Sequence, residues 1–545
     1  MRIVVLFAFG LVLRLLFQAA TVDGGTWWHV GFQGDAPVWQ KFAAQIAHGI
    51  PDVELRLPWR PPGMTYGVAW LWNGEGSAWP VRLLFTVLGA ATAPLLWLLL
   101  RHHVAPAIAW TAAVLCACAG NMLLLASGLH VETPYLFFVL VTLLDQQRLA
   151  NGGGAWVALR WGALHGLLCL LRGEHVLSFA ALAAVAVVSG VRWRALALAL
   201  LGASVPLVPW QLHANRLVAD FNAGAPVLPA SEPVWRADAI EVLRTLPSFQ
   251  QAPMFDFVTR TMRVRGATEV RAPDLQVVRE AFGVFPEPIR PAFVALQGGM
   301  NFWLASIPEG GGGYSGAGYD RPPPLRGGAS RYPPGLAAEL PRGGRFALNY
   351  PPHLDVFLHG YARGWQELAA DPWAALQRLA SKVWNGIGGA TGGIGGYALP
   401  IGMSGLRRPV DMVAATGVWP GIWRVLVLGV AVVGLWWLRR VTVVQALVAF
   451  ALTRVLMLML FFGHARFGAL CLPAVVLGVA AVLHGALVDR VRGRLWSLLP
   501  AVFLVAVAVV EVVRCTTVAV EVDGRPWTQP PGGEADYKPH VITFR

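Results

Sequence analysis

The run PVRLLFTVLGAATAPLLWLLL occupies residues 80–100 and ends against Arg101-His102-His103. Its apolar residues are continuous rather than alternating. A helix rising 1.5 Å per residue over such a length crosses the roughly 30 Å hydrocarbon core of a bilayer. An open sheet cannot do so, because lipid offers no partner for unpaired backbone groups. Similar stretches recur outward from this one, at 2–21, 106–127, 133–145, 155–171, 175–191, 195–213, 418–438, 441–462, 467–487 and 496–513. The expected fold is an all-α polytopic membrane protein with about 11 transmembrane helices.

Composition points the same way. Of 545 residues, 56% are hydrophobic and 13% charged, against about a quarter charged in soluble domains, and the mean hydropathy is +0.55. These values exclude a soluble enzyme, a disordered chain and a secreted disulfide scaffold. The cysteines (Cys116, Cys118, Cys169, Cys471 and Cys515) form neither a zinc spacing nor a disulfide framework. The net charge of +13 comes from arginine, since Lys41, Lys382 and Lys538 are the only lysines. No soluble stretch combines clustered basic residues with aromatics, so the expected contacts are membrane lipids and no nucleic acid.

Arginine placement orients the chain. With a cytoplasmic N-terminus, the inner loops carry Arg101; Arg148 and Arg160; Arg192 and Arg194; Arg439 and Arg440; and Arg490, Arg492 and Arg494. Every inner loop is then basic, as the positive-inside bias requires. Residues 2–21 also read as a signal peptide, although Arg14 within the run favours a retained anchor. The expected organisation is an N-terminal transmembrane module at 1–213 with its first outer loop at 22–79, followed by an extracytoplasmic loop region at 214–417. C-terminal transmembrane helices follow at 418–513 and an outer tail at 514–545. Surface helices are expected over 38–47, near 238–246, 254–263 and 274–282, and from Asp371-Pro372, a cap and first-turn pair, to about Trp384.

Ionisable residues at membrane depth mark functional sites by default. Here they gather at the outer boundary: Asp35, Glu54 and Arg60 in the first outer loop, His130 and Glu132 at the next return, then Arg172, Glu174 and His175, then His464 and Arg466. Arginines suit a phosphate, and a carboxylate suits proton transfer. The plainer alternatives are a helix cap for Asp35, a packing ion pair for Glu132, and a solvated turn for Arg172 and Glu174. Arg14 and Arg454, deep in their runs, fit snorkelling or structural pairing better than substrate binding. The glycine run at 310–313 has no strand before it and no Lys-Ser/Thr helix start after it, so it reads as a loop.

Gly34-Asp35-Ala36 with Trp39, then Arg60-Pro61-Pro62-Gly63, resembles the first outer loop of the polyprenyl-phosphate-sugar-dependent glycosyltransferases of the GT-C fold. That superfamily includes the protein O-mannosyltransferases and the lipid A aminoarabinose transferase. In the same order, Val81-Arg82-Leu83-Leu84 is similar to its "A-R-L-L", His130-Val131-Glu132-Thr133-Pro134 to its acidic segment, and Leu171-Arg172-Gly173 to its "L-R-P". Gly299-Met300-Asn301-Phe302 resembles its "G-N-N-F", Asp371 through Lys382 its membrane-surface helix, and His464-Ala465-Arg466-Phe467 with Pro473 its "R-Y-x-x-P". The coverage runs from about residue 1 to 490. Gly173 stands where the family has proline, and Asn301 is followed by phenylalanine instead of a second asparagine.

The resemblance implies a GT-C-like bundle with a long extracytoplasmic loop region in a bacterial inner membrane, its active site facing the periplasm. It implies transfer of a sugar from a polyprenyl-phosphate carrier to the hydroxyl of a lipid, glycan or protein acceptor, in one inverting displacement. Asp35 would be the general base, with Glu132 supporting it or the sugar, and Arg60 and Arg466 would meet the leaving phosphate. Glu54, Arg172, Glu174, Asn301, Lys382 and His464 are the further substrate-binding candidates. Some family members hold a divalent metal, and no spacing here commits to one. A lipid-carrier flippase would also want arginines near phosphate, but along a path through the bilayer. A non-catalytic envelope scaffold of the same fold is the third alternative.

Overall fold

The computed structural model describes residues 1–21, 36–49, 55, 57–223, 233–246, 248–264, 266–282, 289–310, 317–320, 346, 351–391 and 418–488, with short strands at 520–522, 525–526 and 542–544. The first module holds α1 (Arg2–Thr21), α2 (Ala36–His48), α3 (Pro62–Leu71), α4 (Trp79–Leu100), α5 (Pro106–Cys118), α6 (Gly120–Ser127), α7 (Glu132–Ala150), α8 (Ala155–Leu171), α9 (His175–Val188) and α10 (Trp193–Ala223). A small unit follows, in which β1 (Val234–Trp235) and β2 (Glu269–Val270) pair in parallel among α11 (Ala237–Arg244), α12 (Ser248–Val264) and α13 (Ala272–Phe282). Next come α14 (Gly298–Ser306), α15 (Pro351–Ala370), α16 (Pro372–Thr391), α17 (Val418–Trp437), α18 (Thr442–Leu460), the short α19 (Ala465–Gly468) and α20 (Leu472–Val488). Near the C-terminus, β3 (Val520–Val522) pairs antiparallel with β4 (Arg525–Pro526) and β5 (Ile542–Phe544).

This is a helical, multi-pass membrane protein, with a smaller set of strong spans than expected. Among the described residues, four helices are long and apolar enough to cross a membrane (α4, α10, α18 and Ala465–Gly485), or five with the bent pair α5–α6. The reasons for the shortfall are local. The run at 106–127 breaks at Ala119 and bends by 55°. Helix α7 carries Glu132, Asp145 and Arg148, while α8 and α9 have only 17 and 14 residues. The expected span at 496–513 lies outside the described residues.

Close helix packing is written in small side chains. A Cβ on Gly162 of α8 would lie 1.8 Å from the Ala199 carbonyl of α10, and one on Gly202 would lie 2.1 Å from the Leu159 carbonyl. Lipid cannot drive two helices together hydrophobically, so close backbone approach and dispersion do that work. The main core joins α4 to α8 with α18 and α20 through fully buried Leu96, Tyr135, Trp161, Phe450 and Leu477. At one end of the bundle, buried Asp145 takes a two-bond clamp from Arg160 (2.8 and 2.5 Å) and a third bond from Arg148 (3.0 Å), tying α7 to α8. The opposite end carries the site.

The surface helices fall close to their expected places. α16 opens as its sequence dictates, the Asp371 carboxylate accepting the Ala374 N–H at 2.9 Å with Pro372 at the first position. It runs past Trp384 to Thr391, because Gly386, Gly388 and Gly389 let its second half sink into the bundle.

Candidate functional site

Three returns of the chain meet at the end of the bundle opposite Asp145. Between α6 and α7, Leu129 turns with φ 53°, and Glu132 opens α7, where the helix dipole favours an anion. Pro134 is harmless in that first turn. Arg172 ends α8 in extended conformation, and Glu174 precedes α9. After α18 the chain runs through Phe461–His464 into α19, which carries Arg466.

The third return is fixed from behind by α16. A Cβ on Gly389 would sit 1.6 Å from the Ala465 carbonyl, and one on Gly468 would sit 1.9 Å from the Gly386 carbonyl. Backbone therefore lies directly on backbone beside Arg466.

An ion-pair chain crosses the three returns. Arg172 Nη1 donates to Glu132 Oε1 at 2.7 Å and its Nε to Glu174 Oε1 at 2.6 Å. Arg454, from α18, lies 3.6 Å from the same Glu174 oxygen and donates to Ser178 Oγ at 2.7 Å. Arg466 lies 4.0 Å from Glu132 Oε1 and 3.5 Å from His130 Nδ1. Phe467 lies beneath two guanidiniums, Arg172 at 4.5 Å and Arg466 at 5.0 Å from its ring centre.

Burial would raise the Glu132 carboxyl, but Arg172, then Arg466 and His130, outweigh it and hold it below its ordinary value. The same opposition of burial against Arg172 and Arg454 holds Glu174 low. The Arg172 guanidinium loses to burial and gains more from Glu174 and Glu132, so its proton is held above the ordinary arginine value. Both acids are thus anions at neutral pH. Glu132 is buried, and its second oxygen, Oε2, has no hydrogen-bond partner among the described residues.

The expected residues divide into three groups. Glu132, Arg172, Glu174 and Arg466 come together. His464 starts α19, its ring 5.6 Å from those of Phe462 and Phe467. Arg60 approaches by another route: Gly63, three residues on, would place a Cβ 2.8 Å from the Leu171 side chain, so α3 lies directly against the end of α8. The Arg60 guanidinium sits 5.6 Å from the ring centre of Trp39 on the first turn of α2. Pro58 and Trp59 accept the Leu296 and Gln297 N–H groups, leading into α14 and half-buried Asn301. Among the described residues, Asn301 makes no side-chain hydrogen bond to the ion-pair chain. Asp35 and Glu54 lie outside the described residues.

Lys382 is buried on α16, and its Nζ donates to the Met459 carbonyl at 3.3 Å. Burial, with Arg378 adding to it, lowers this ammonium to about 8.

Arg454 was expected to snorkel or to pair structurally, and it pairs; its partner was not foreseen. The structure makes it the second cation on Glu174, packed 5.5 Å from the Tyr135 ring, while the Tyr135 hydroxyl lies 2.7 Å from His175 Nδ1. The available signal was an arginine in mid-span, which by default marks a site. Arg14 does not snorkel. It is 1% exposed and donates to the Gly10 carbonyl at 3.0 Å. Among the described residues, no group of three His, Cys, Asp or Glu side chains is arranged to hold a metal ion.

No family profile and no curated protein matches the chain. Among solved structures, it is similar to the archaeal oligosaccharyltransferase AglB from Archaeoglobus fulgidus, in complex with an inhibitory peptide and a dolichol-phosphate. That likeness has 12% identity and a TM-score of 0.38, and it covers 95% of this chain but only 54% of that one. It is also similar to ArnT from Cupriavidus metallidurans, in the apo state at 14% identity and TM-score 0.33, with 89% of this chain and 79% of that chain covered. ArnT bound to undecaprenyl phosphate gives 17% identity and TM-score 0.31 over the same shares.

Proposed function

We propose that this protein is an inner-membrane glycosyltransferase that moves a sugar from a polyprenyl-phosphate carrier to an acceptor hydroxyl on the periplasmic side. The observation that carries this is the meeting of Glu132, Arg172, Glu174 and Arg466 at one end of the bundle. The basic loops at the other end support an outward-facing position for it.

In this assignment Arg466 takes the leaving phosphate, its guanidinium lying beside the buried Glu132 carboxylate, 4.0 Å from Oε1, at the meeting of the returns. Arg172 is already spent on two acids and serves as a fixed strut that holds both returns. Arg60, two residues before α3, approaches the same end and adds a second cation. Charge developing on the departing phosphate is stabilised best by donors that need no rearrangement.

Glu132 is a weak base in this environment, since its proton affinity is held down by two arginines. It positions Arg172 and Arg466 through Oε1, and Oε2 is the acceptor for a substrate hydroxyl. The general base is then Asp35, the residue before α2. Support comes from its sequence neighbour Trp39, which lies against Arg60. The hydroxyl proton passes to the Asp35 carboxylate as the oxygen attacks the anomeric carbon, and the carrier phosphate leaves with the bonding pair.

The test is mass spectrometry of envelope lipids and glycans from cells carrying the wild type or Asp35→Asn at equal abundance. The variant should leave the acceptor unmodified and accumulate loaded carrier. Full modification by Asp35→Asn would remove this assignment.

A further inference from the structure

Helix α16 carries a second basic pair that the proposed transfer does not use. Arg378 and Lys382 are four residues apart, hence neighbours on one face, where like charges repel. Lys382 is 2% exposed, yet its ammonium has one bond, to a carbonyl at 3.3 Å. The Arg378 Nε is buried and has no hydrogen-bond partner among the described residues. Among the described residues, neither side chain forms a salt bridge. Two cations on one face, Lys382 buried and Arg378 half-buried, call for an anion, since an uncompensated buried charge costs several kcal/mol.

The location narrows the anion's source. Lys382 reaches the last turn of α18, and half-buried Arg378 leaves the pair open on its own side. The same helix exposes Trp373 (69%), Leu376 (54%) and Trp384 (42%). Exposed tryptophans beside a spanning bundle mark the depth of lipid headgroups. An anion at this depth is a lipid phosphate.

We infer that Arg378 and Lys382 form a phosphate-headgroup site on α16, separate from the Arg172–Arg466 group, that holds an anionic lipid against the bundle. Two sources share this chemistry: a bilayer phospholipid, and a polyprenyl phosphate docked beside the site.

The full-length protein, purified in detergent, is incubated with phosphatidylglycerol or with undecaprenyl phosphate, and native mass spectrometry counts the retained lipid. No sugar transfer is read, so the result is independent of the proposed reaction. Arg378→Gln/Lys382→Gln should retain at least fivefold less of one of the two lipids than the wild type, and Lys382→Arg should restore it. The lipid whose occupancy falls identifies the source. Equal occupancy of both lipids in the wild type and the double variant would overturn the site.

A second measurement separates binding from a purely structural lysine that caps α18. The lipid that binds should raise the wild-type unfolding midpoint more than that of Lys382→Gln, because a ligand stabilises only the state that holds it. If Lys382→Gln lowers the lipid-free midpoint while lipid raises both proteins equally, the lysine is a cap and the inference fails.

Discussion

The two oxygens of Glu132 have different surroundings: Oε1 meets Arg172 at 2.7 Å, and Oε2 has no hydrogen-bond partner among the described residues. Glu132→Gln would leave Arg172 and Arg466 without their shared anion. Breaking a buried pair from one side costs about 3–5 kcal/mol, so the unfolding midpoint in detergent should fall clearly below that of wild type. An unchanged midpoint would mean the pair is not formed. Arg172→Lys keeps the charge but cannot bridge two carboxylates with one planar fork. It should lower transfer at least tenfold in an assay with lipid-linked sugar, while the protein remains folded by size-exclusion chromatography.

Acid is a second probe of the same residues. Glu132 and Glu174 have folded pKa values below their ordinary ones. Their stabilising contribution is therefore present above the unfolded carboxyl value, about 4.3, and is lost as pH falls through the depressed values. The unfolding midpoint should be level from neutral pH to about 5 and decline below about 4. Glu174→Gln should flatten part of that decline.

At this scale the sequence was a fair guide to types and a poor one to partners. Ionisable residues at span ends were legible because lipid penalises them. That Arg454 would join Glu174 was not, since the two are far apart in sequence and only packing of α9 on α18 brings them together.

Among the elements, α16 contributes most to the site's shape. Its glycines admit the backbone of α19, and Asn121 Nδ2, beside the α5–α6 break, donates to the Gly389 carbonyl at 2.5 Å. Gly389→Ala would place a methyl against a carbonyl that cannot retreat, forcing α16 from α19. Such overpacking costs about 1–3 kcal/mol and moves Arg466, so transfer should fall even though no charged group has changed. Equal activity and midpoint for Gly389→Ala would show that the contact is not formed. The start of this helix was readable from Asp371-Pro372. Its end was not, because glycines that normally weaken a helix are here the surface on which another chain segment packs.

For the whole molecule, long apolar runs were enough to indicate a helical, multi-pass protein, and the basic loops add an orientation as an expectation. The number of strong spans was not legible, since a run can bend at Ala119 or carry Asp145 and still be buried. Orientation can be checked on a cysteine-free background with a membrane-impermeant maleimide. Gly76→Cys should label in intact spheroplasts, and Gly152→Cys only after permeabilisation. The reverse pattern would put the ion-pair chain in the cytosol.

The central claim, that the arginine-carboxylate end of the bundle meets a lipid-linked sugar, is tested most directly by release of carrier phosphate. Purified protein in envelope vesicles depleted of its own activity would receive labelled polyprenyl-phosphate sugars, and free polyprenyl phosphate would be followed. Wild type should release it with one of the sugars, and Arg466→Gln should slow release about a hundredfold, as expected for loss of a donor to developing charge. Release by Arg466→Gln at the wild-type rate would contradict the account.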